Sequence, residues 1–226
     1  MIDAVIFDMD GVLIDSEPLW QEAEIDLFAE IGVPLTPDLC AATMGLRIDE
    51  VVAHWRSRFP WDGPSDAEMV DRVVTRMTEL VAKRARPLPG VKPTLKLLQA
   101  GRVRMALATS SFKPIMHAVL DTFELHRFFE VAYSAEEERW GKPHPGIYLT
   151  VADRMSVPPT RCVAVEDSVN GVLAAKAARM KCVAIPDLAK GDPRFAIADG
   201  VLDSLSALPG WLEDEVPVDE QDGQEA

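Results

Sequence analysis

The chain has 226 residues, of which 48% are hydrophobic and 27% charged, which suits one core domain that carries a smaller insert. A formal net charge of −14 argues against a nucleic acid or an anionic membrane as a partner. No hydrophobic run approaches the roughly 20 residues that a membrane-spanning helix needs, and the N-terminus lacks the basic start of a signal peptide. We therefore expect a cytoplasmic protein.

The charge is concentrated at the C-terminus, where residues 213–226 hold seven acidic residues and no basic residue. This composition predicts a flexible, solvated acidic tail over 213–226, so the remainder of the chain is less acidic than its total charge suggests. The three cysteines, Cys40, Cys162 and Cys182, form no CxxC pair and lie in hydrophobic sequence. We predict buried, reduced thiols.

Five short hydrophobic runs are typical of buried strands in a parallel sheet. Helical patterns of 10 to 15 residues separate the later runs, and this alternation predicts βαβ units. The expected fold class is therefore α/β, a doubly wound, Rossmann-like parallel sheet. The predicted strands are Ala4–Phe7, Val103–Ala108, Val131–Tyr133, Cys162–Val165 and Cys182–Ile185.

The stretch between the first two predicted strands breaks this alternation and has only helical patterns. Ser65 and Glu68 there form the sequence signature of a capping box at the start of a long helix. Pro87, Pro89 and Gly90 mark the return to the sheet. We predict an α/β core domain of residues 1–15 and 88–212 and an inserted helical domain of residues 16–87.

Polar residues follow four of the predicted strands. Ligands of open parallel sheets bind at the carboxyl ends of the strands, so the fold should bring these residues together. That convergence is stronger evidence for a site than any single motif. The residues are Asp8 and Asp10, then Thr109 and Ser110, then Lys142, and finally Glu166 and Asp167.

These residue types together fit phosphoryl transfer. Four carboxylates would repel each other unless a cation joined them, and oxygen ligands favour magnesium. One carboxylate can attack phosphorus, and a second one two residues later can act as general acid and then general base. Thr109 and nearby backbone N–H groups can bind phosphoryl oxygens, and Lys142 can neutralise the charge that develops on them.

The order and spacing of these groups resemble the four signature motifs of the haloacid dehalogenase superfamily. The chain is similar to its β-phosphoglucomutase-like subgroup, and there to bacterial hexitol and 2-deoxyglucose-6-phosphate phosphatases; the helical insert resembles a C1-type cap. The resemblance implies Asp8 as nucleophile, Asp10 as acid/base, and Thr109 and Lys142 as phosphate ligands. It also implies Mg²⁺ held by Asp8, the Asp10 backbone carbonyl and Asp167, with Glu166 close by.

The expected substrate is a small sugar or polyol phosphate, such as a hexose 6-phosphate, 2-deoxyglucose 6-phosphate or a hexitol phosphate. Ser110 is expected beside the phosphate. Glu17 and Arg47 could touch substrate hydroxyls, because the cap lines the leaving-group side in this family. Two alternatives stay open: a phosphomutase of the β-phosphoglucomutase kind and a catalytically silent binding protein. The exact substrate and the oligomeric state are also open, with a monomer as the default.

Overall fold

The computed structural model describes residues 2–186 and 191–215. In this part of the chain, six parallel strands form a single sheet with the order β3-β2-β1-β4-β5-β6. The doubly wound α/β fold is therefore confirmed. The strands are β1 (Ala4–Phe7), β2 (Arg104–Thr109), β3 (Val131–Ser134), β4 (Cys162–Glu166), β5 (Lys181–Ala184) and β6 (Gly200–Val201).

The central strand β1 explains why its sequence is hydrophobic without a break. Val5 and Phe7 face a hydrophobic cluster on one side of the sheet, while Ala4 and Ile6 face a second cluster on the other side. All four side chains are fully buried, so an alternating pattern would have put polar groups into a core. The five predicted strands are confirmed, whereas β6 has only two residues and is too short to produce a pattern.

Helices cover both faces of this sheet. Helix α9 was not predicted; Leu208 and Leu212, four residues apart, bury one face of it. The helix continues through Glu215, whereas the predicted tail begins at residue 213; residues 216–226 of that tail lie outside the described part. The core helices are α5 (Val91–Ala100), α6 (Lys113–Thr122), α7 (Gly146–Arg154), α8 (Val169–Ala177) and α9 (Leu208–Glu215).

The predicted helical insert contains four helices and no strand between residues 16 and 87. Its longest helix starts at the predicted capping box: the Ser65 backbone N–H donates to Glu68 Oε2 at 2.8 Å, and the Glu68 N–H donates to Ser65 Oγ at 3.3 Å. These two bonds satisfy backbone donors that the first helical turn leaves free. The helices are α1 (Glu17–Glu30), α2 (Pro37–Ala42), α3 (Ile48–Arg58) and α4 (Asp66–Arg84).

The two chain segments that join the insert to the core run side by side. Ile14 and Pro87 form an antiparallel bridge. The Asp15 N–H donates to the Arg86 carbonyl at 3.0 Å, which extends this pairing by one further bond. The insert therefore leaves and re-enters the core at one place, directly after β1, and lies at the edge of the sheet where the candidate residues converge.

In the described residues, no helix is long and hydrophobic enough to cross a membrane. Cys40, Cys162 and Cys182 are all buried, free thiols, as predicted.

Candidate active site

A tight turn after β1 places the first two carboxylates. The Asp8 N–H donates to the Val165 carbonyl at 2.9 Å, which holds the nucleophile candidate against β4. Gly11 then takes a φ of +69°, and a Cβ at this position would lie 2.0 Å from Asp167 Oδ2. Only glycine fits both this conformation and this close approach, so the turn brings the ends of β1 and β4 into direct contact.

Lys142 lies buried between two carboxylates. Its Nζ donates to Asp8 Oδ1 at 3.0 Å and to Glu166 Oε1 at 2.6 Å. Burial alone would lower the pKa of Lys142, but the charges of Asp8 and Glu166 outweigh it and raise this pKa. Lys142 is therefore a fixed positive charge next to Asp8. The Tyr148 hydroxyl on α7 also donates to Glu166 Oε1 and so helps to hold this pair.

The acidic side chains form a cluster that could hold a metal ion. One carboxylate oxygen each from Asp8, Glu166 and Asp167 lie within 4.8 Å of one another. Burial raises the pKa of Asp8 to about 8, although Lys142 opposes this shift. Burial, followed by the charges of Asp8 and Glu166, raises the pKa of Asp167 well above its usual value. One lysine does not balance three acids, of which Asp8 and Glu166 are buried, and the donor set consists of hard oxygen ligands, so the residues fit a divalent cation.

Asp10 is held by donors from both the core and the insert. Its Oδ1 accepts from Ser16 Oγ at 2.6 Å and from the Trp20 indole N–H at 3.1 Å. Its Oδ2 accepts from Ser111 Oγ at 2.7 Å and from Thr109 Oγ1 at 3.4 Å. These bonds fix the orientation of the carboxylate. Trp20 belongs to α1, so the insert takes part directly in positioning the acid/base candidate.

Thr109 and Ser110 end β2 at the same edge of the sheet. Thr109 is fully buried, and its Oγ1 accepts from the Ser111 N–H at 3.0 Å in addition to contacting Asp10. Ser110 lines the central cavity, and its Oγ donates to the Gly45 carbonyl of the insert at 3.4 Å. The structure thus brings both residues to the site, next to Asp10 and the insert respectively.

A cavity of about 260 Å³ lies between the insert and the ends of the strands. Its size suits a small, partly enclosed metabolite. Asp8, Asp10 and Asp167 line it from the core. Glu17 lines it from the insert, and burial raises the pKa of this residue. The other polar and sulfur-containing residues of the insert wall are Ser16, Gln21, Glu24, Cys40, Thr43 and Met44.

Arg47 does not line this cavity, which corrects the expectation that it touches substrate. Its Nε and Nη2 donate to the Asp49 carboxylate at 2.6 and 2.7 Å. Its Nη1 donates to the backbone carbonyls of Ala135 at 2.8 Å and Glu138 at 2.7 Å. Every polar end of the buried guanidinium is thus engaged. Arg47 fastens the insert to the core loop that follows β3.

Sequence reasoning did not identify Ser16, Trp20, Glu24 or Tyr148 as site residues. Each is a common residue type in a helix or a turn, and its role depends on which neighbour packs against it. Only Tyr148 carried a usable signal, since a tyrosine on the buried face of a helix needs a partner for its hydroxyl.

The comparisons with known proteins agree with this geometry. A family model described as haloacid dehalogenase-like hydrolase matches residues 2–179. Hexitol phosphatase B of Escherichia coli (strain K12) is 46% identical over 211 residues, which cover 91% of this chain and 93% of that protein. The phosphorylated carbohydrates phosphatase of Thermotoga maritima is 34% identical over 78% of this chain and 82% of its own length.

A solved structure has a similar fold over most of its length. CbbY from Rhodobacter sphaeroides in complex with xylulose-(1,5)bisphosphate has a TM-score of 0.85 and 29% identity, and the match covers 92% of this chain and 96% of that one. The described site contains the carboxylates, the buried lysine and the Thr109 position that the resemblance implied. The chain therefore belongs to the haloacid dehalogenase-like hydrolase family.

Proposed function

We propose that the protein is a Mg²⁺-dependent phosphatase of small sugar or polyol phosphates, with hexitol phosphates as the leading substrates. The observation that carries the proposal is the pairing of two differently held carboxylates: Asp8 is paired with Lys142, and two residues later Asp10 is oriented by four donors. The identity with a hexitol phosphatase supports the substrate class.

In the proposed reaction, an Asp8 carboxylate oxygen attacks phosphorus while the bond from phosphorus to the leaving oxygen breaks. Asp10 gives its proton to that oxygen, so the alcohol leaves neutral. The product on the enzyme is an aspartyl phosphate. Asp10 then takes a proton from water, the water oxygen attacks phosphorus, and inorganic phosphate leaves with Asp8 restored as a carboxylate.

Lys142 stabilises negative charge next to Asp8 throughout both steps. Glu166 and Tyr148 hold it in place, so no reorganisation is needed when charge develops on the phosphoryl group. Asp8, Asp167 and the Asp10 backbone carbonyl would hold Mg²⁺, with Glu166 beside them. When bound, Mg²⁺ supplies neutralising charge to the phosphoryl oxygens.

We further propose that residues 16–87 act as a cap on a core of residues 1–15 and 88–212. The contact of Trp20 with Asp10 and of Arg47 with the loop after β3 supports this role, because both join the insert to the core. A closed cap excludes bulk water during attack by Asp8, and its opening admits the water for the second step.

Phosphate release from a panel of hexose, hexitol and shorter polyol phosphates, with Mg²⁺ and with EDTA, tests the proposal. We expect release that requires Mg²⁺ and is strongest for a six-carbon substrate. Isomerised sugar phosphate that appears only with a bisphosphate activator, without release of phosphate, would contradict the phosphatase proposal and favour the mutase alternative.

A further inference from the structure

Helix α1 presents one row of polar side chains to the cavity. Glu17, Gln21 and Glu24 lie four and three residues apart, which places them on the same face of the helix. All three line the cavity. Glu17 and Gln21 are paired with each other, since Gln21 Nε2 donates to Glu17 Oε1 at 3.0 Å. Glu24, the third member of the row, takes no part in this pair.

Glu24 is buried in an unusual way. Only 6% of its surface is exposed, and Oε2 has no hydrogen bond partner among residues 2–186 and 191–215. Buried polar atoms are normally paired, and leaving one unpaired is costly. The neighbouring polar groups are largely used elsewhere: Thr43 Oγ1, for example, donates to the Cys40 carbonyl at 3.0 Å. Glu24 therefore lines the cavity while one of its two carboxyl oxygens, Oε2, lies buried without a hydrogen bond partner.

The charge state of Glu24 restricts what it can bind. Burial raises the pKa of Glu24 to about 8, the nearby charge of Glu17 acts in the same direction, and a hydrogen bond from Cys40 opposes the shift. The raised pKa favours the neutral carboxylic acid, and because Cys40 bonds one carboxyl oxygen, Oε2 is left either to carry the O–H and donate or to accept. Among the parts of a phosphorylated polyol, a hydroxyl group can pair with such an oxygen either as donor or as acceptor, and the phosphate belongs with Lys142.

We propose that Glu24 binds a hydroxyl group of the substrate's polyol or sugar chain and thereby selects hydroxylated leaving groups. This inference rests on the proposed function, since it assigns the insert side of the cavity to the leaving group. It adds a residue in the middle of α1 that sequence reasoning did not single out. Glu17 and Gln21, already paired, would complete the polar wall.

The test compares kcat/KM for sorbitol 6-phosphate and for p-nitrophenyl phosphate, which has no aliphatic hydroxyl groups. We expect Glu24→Leu to lower the ratio of kcat/KM for sorbitol 6-phosphate to kcat/KM for p-nitrophenyl phosphate by about 10-fold, because one hydrogen bond to the sugar alcohol is lost. Glu24→Gln keeps a donor and an acceptor and should stay within about 3-fold of the wild-type ratio. The matched control is Glu30→Leu at the exposed end of the same helix, where Glu30 Oε2 lies 3.9 Å from Arg72.

A ratio that does not change in Glu24→Leu would overturn the proposal, as would an equal loss for both substrates. Calorimetric binding of sorbitol 6-phosphate to Asp8→Asn, with and without Glu24→Leu, separates this inference from the proposed function. We expect about 10-fold weaker binding when Glu24 is replaced, whether or not the wild type turns over. Equal binding by both variants would refute the role of Glu24, whereas wild type that releases no phosphate would refute only the proposed function. Circular dichroism checks that Glu24→Leu folds.

Discussion

The two walls of the cavity are built in opposite ways. On the core wall, Asp8 and Asp10 have fixed partners: Lys142 joins Asp8 to Glu166, and Asp10 accepts four hydrogen bonds. On the insert wall, Glu24 is buried with an unpaired oxygen. The chemistry of phosphoryl transfer is the same for every substrate, and so its wall can be completed in advance. The wall facing the leaving group must keep hydrogen-bonding capacity for the molecule that arrives.

The largest effect on the core wall is expected for Lys142→Met. It leaves Asp8 and Glu166 buried without their cation, which should lower the free energy of unfolding by about 3 to 5 kcal/mol and abolish measurable turnover. Urea unfolding and phosphate release measure the two effects. The double variant Lys142→Met/Glu166→Gln should regain part of the stability but no activity. Single and double variants of equal stability would show that Glu166 and Lys142 are not coupled.

Glu24, the buried acid of the insert wall, should make the free energy of unfolding depend on pH. Glu24 has a folded pKa of about 8 against an ordinary value of 4.5, with Glu17 and Cys40 facing it. Its contribution is complete below about pH 4.5 and is lost as the pH rises to about 8, because the unfolded chain releases the proton first. We expect wild type to lose on the order of 5 kcal/mol more than Glu24→Gln between these pH values. If the free energies of unfolding of the two proteins, measured with urea, changed with pH in parallel, Glu24 would not have the raised pKa.

A smaller effect is expected where the two walls meet at Asp10. Trp20→Phe removes the indole donor to Asp10 Oδ1 and keeps an aromatic ring in α1. We expect kcat to fall about 10-fold with little change in KM, since a misoriented acid/base slows the chemical step rather than binding. Trp140→Phe is the control, because Trp140 is an exposed tryptophan of the core. A loss confined to KM would mean that Trp20 contacts substrate instead.

The smallest effect is expected for the contact of Arg47 that attaches the insert to the core. Arg47→Met removes the bonds to the carbonyls of Ala135 and Glu138, and we expect KM to rise about 3-fold and amide hydrogen exchange of residues 135–141 to become faster. Arg56→Met is a matched control, since Arg56 Nε donates to Asp66 Oδ1 at 2.7 Å within the insert. If both variants behaved alike, the effect of Arg47 would be one of insert stability and not of its attachment to the core.

The difference between the walls also explains what could be predicted from sequence. Strand β1 is a continuous hydrophobic run that ends abruptly at Asp8, so both the strand and the position of the site followed from the pattern. The capping box at Ser65 was readable because its two residues are near in sequence. Strand β6, with two residues, and helix α9, with acidic residues in its last turn, lacked a comparable signal.

The insert wall was harder to predict because its contacts join distant segments. Arg47 was expected at the substrate, but its partners Ala135 and Glu138 lie 88 and 91 residues away in sequence. The role of Glu24 depends on the packing of α2 against α1, which leaves its Oε2 buried and unpaired. Spacing along the chain reports which residues share a helix face, and it does not report which of them find a partner in the folded protein.

The most direct measurement is reduction of the enzyme with borohydride during turnover of sorbitol 6-phosphate in the presence of Mg²⁺. An aspartyl phosphate is an activated acyl group, so reduction should convert Asp8 to homoserine, which peptide mass spectrometry detects. We expect homoserine at position 8 when substrate is present and none when it is absent. Asp8→Asn should give no such product, and its turnover should fall on the order of 10⁴-fold. Asp3→Asn is the control that should stay active. Rapid turnover with Asp8 unmodified, or turnover retained in Asp8→Asn, would show that the phosphoryl group does not pass through Asp8.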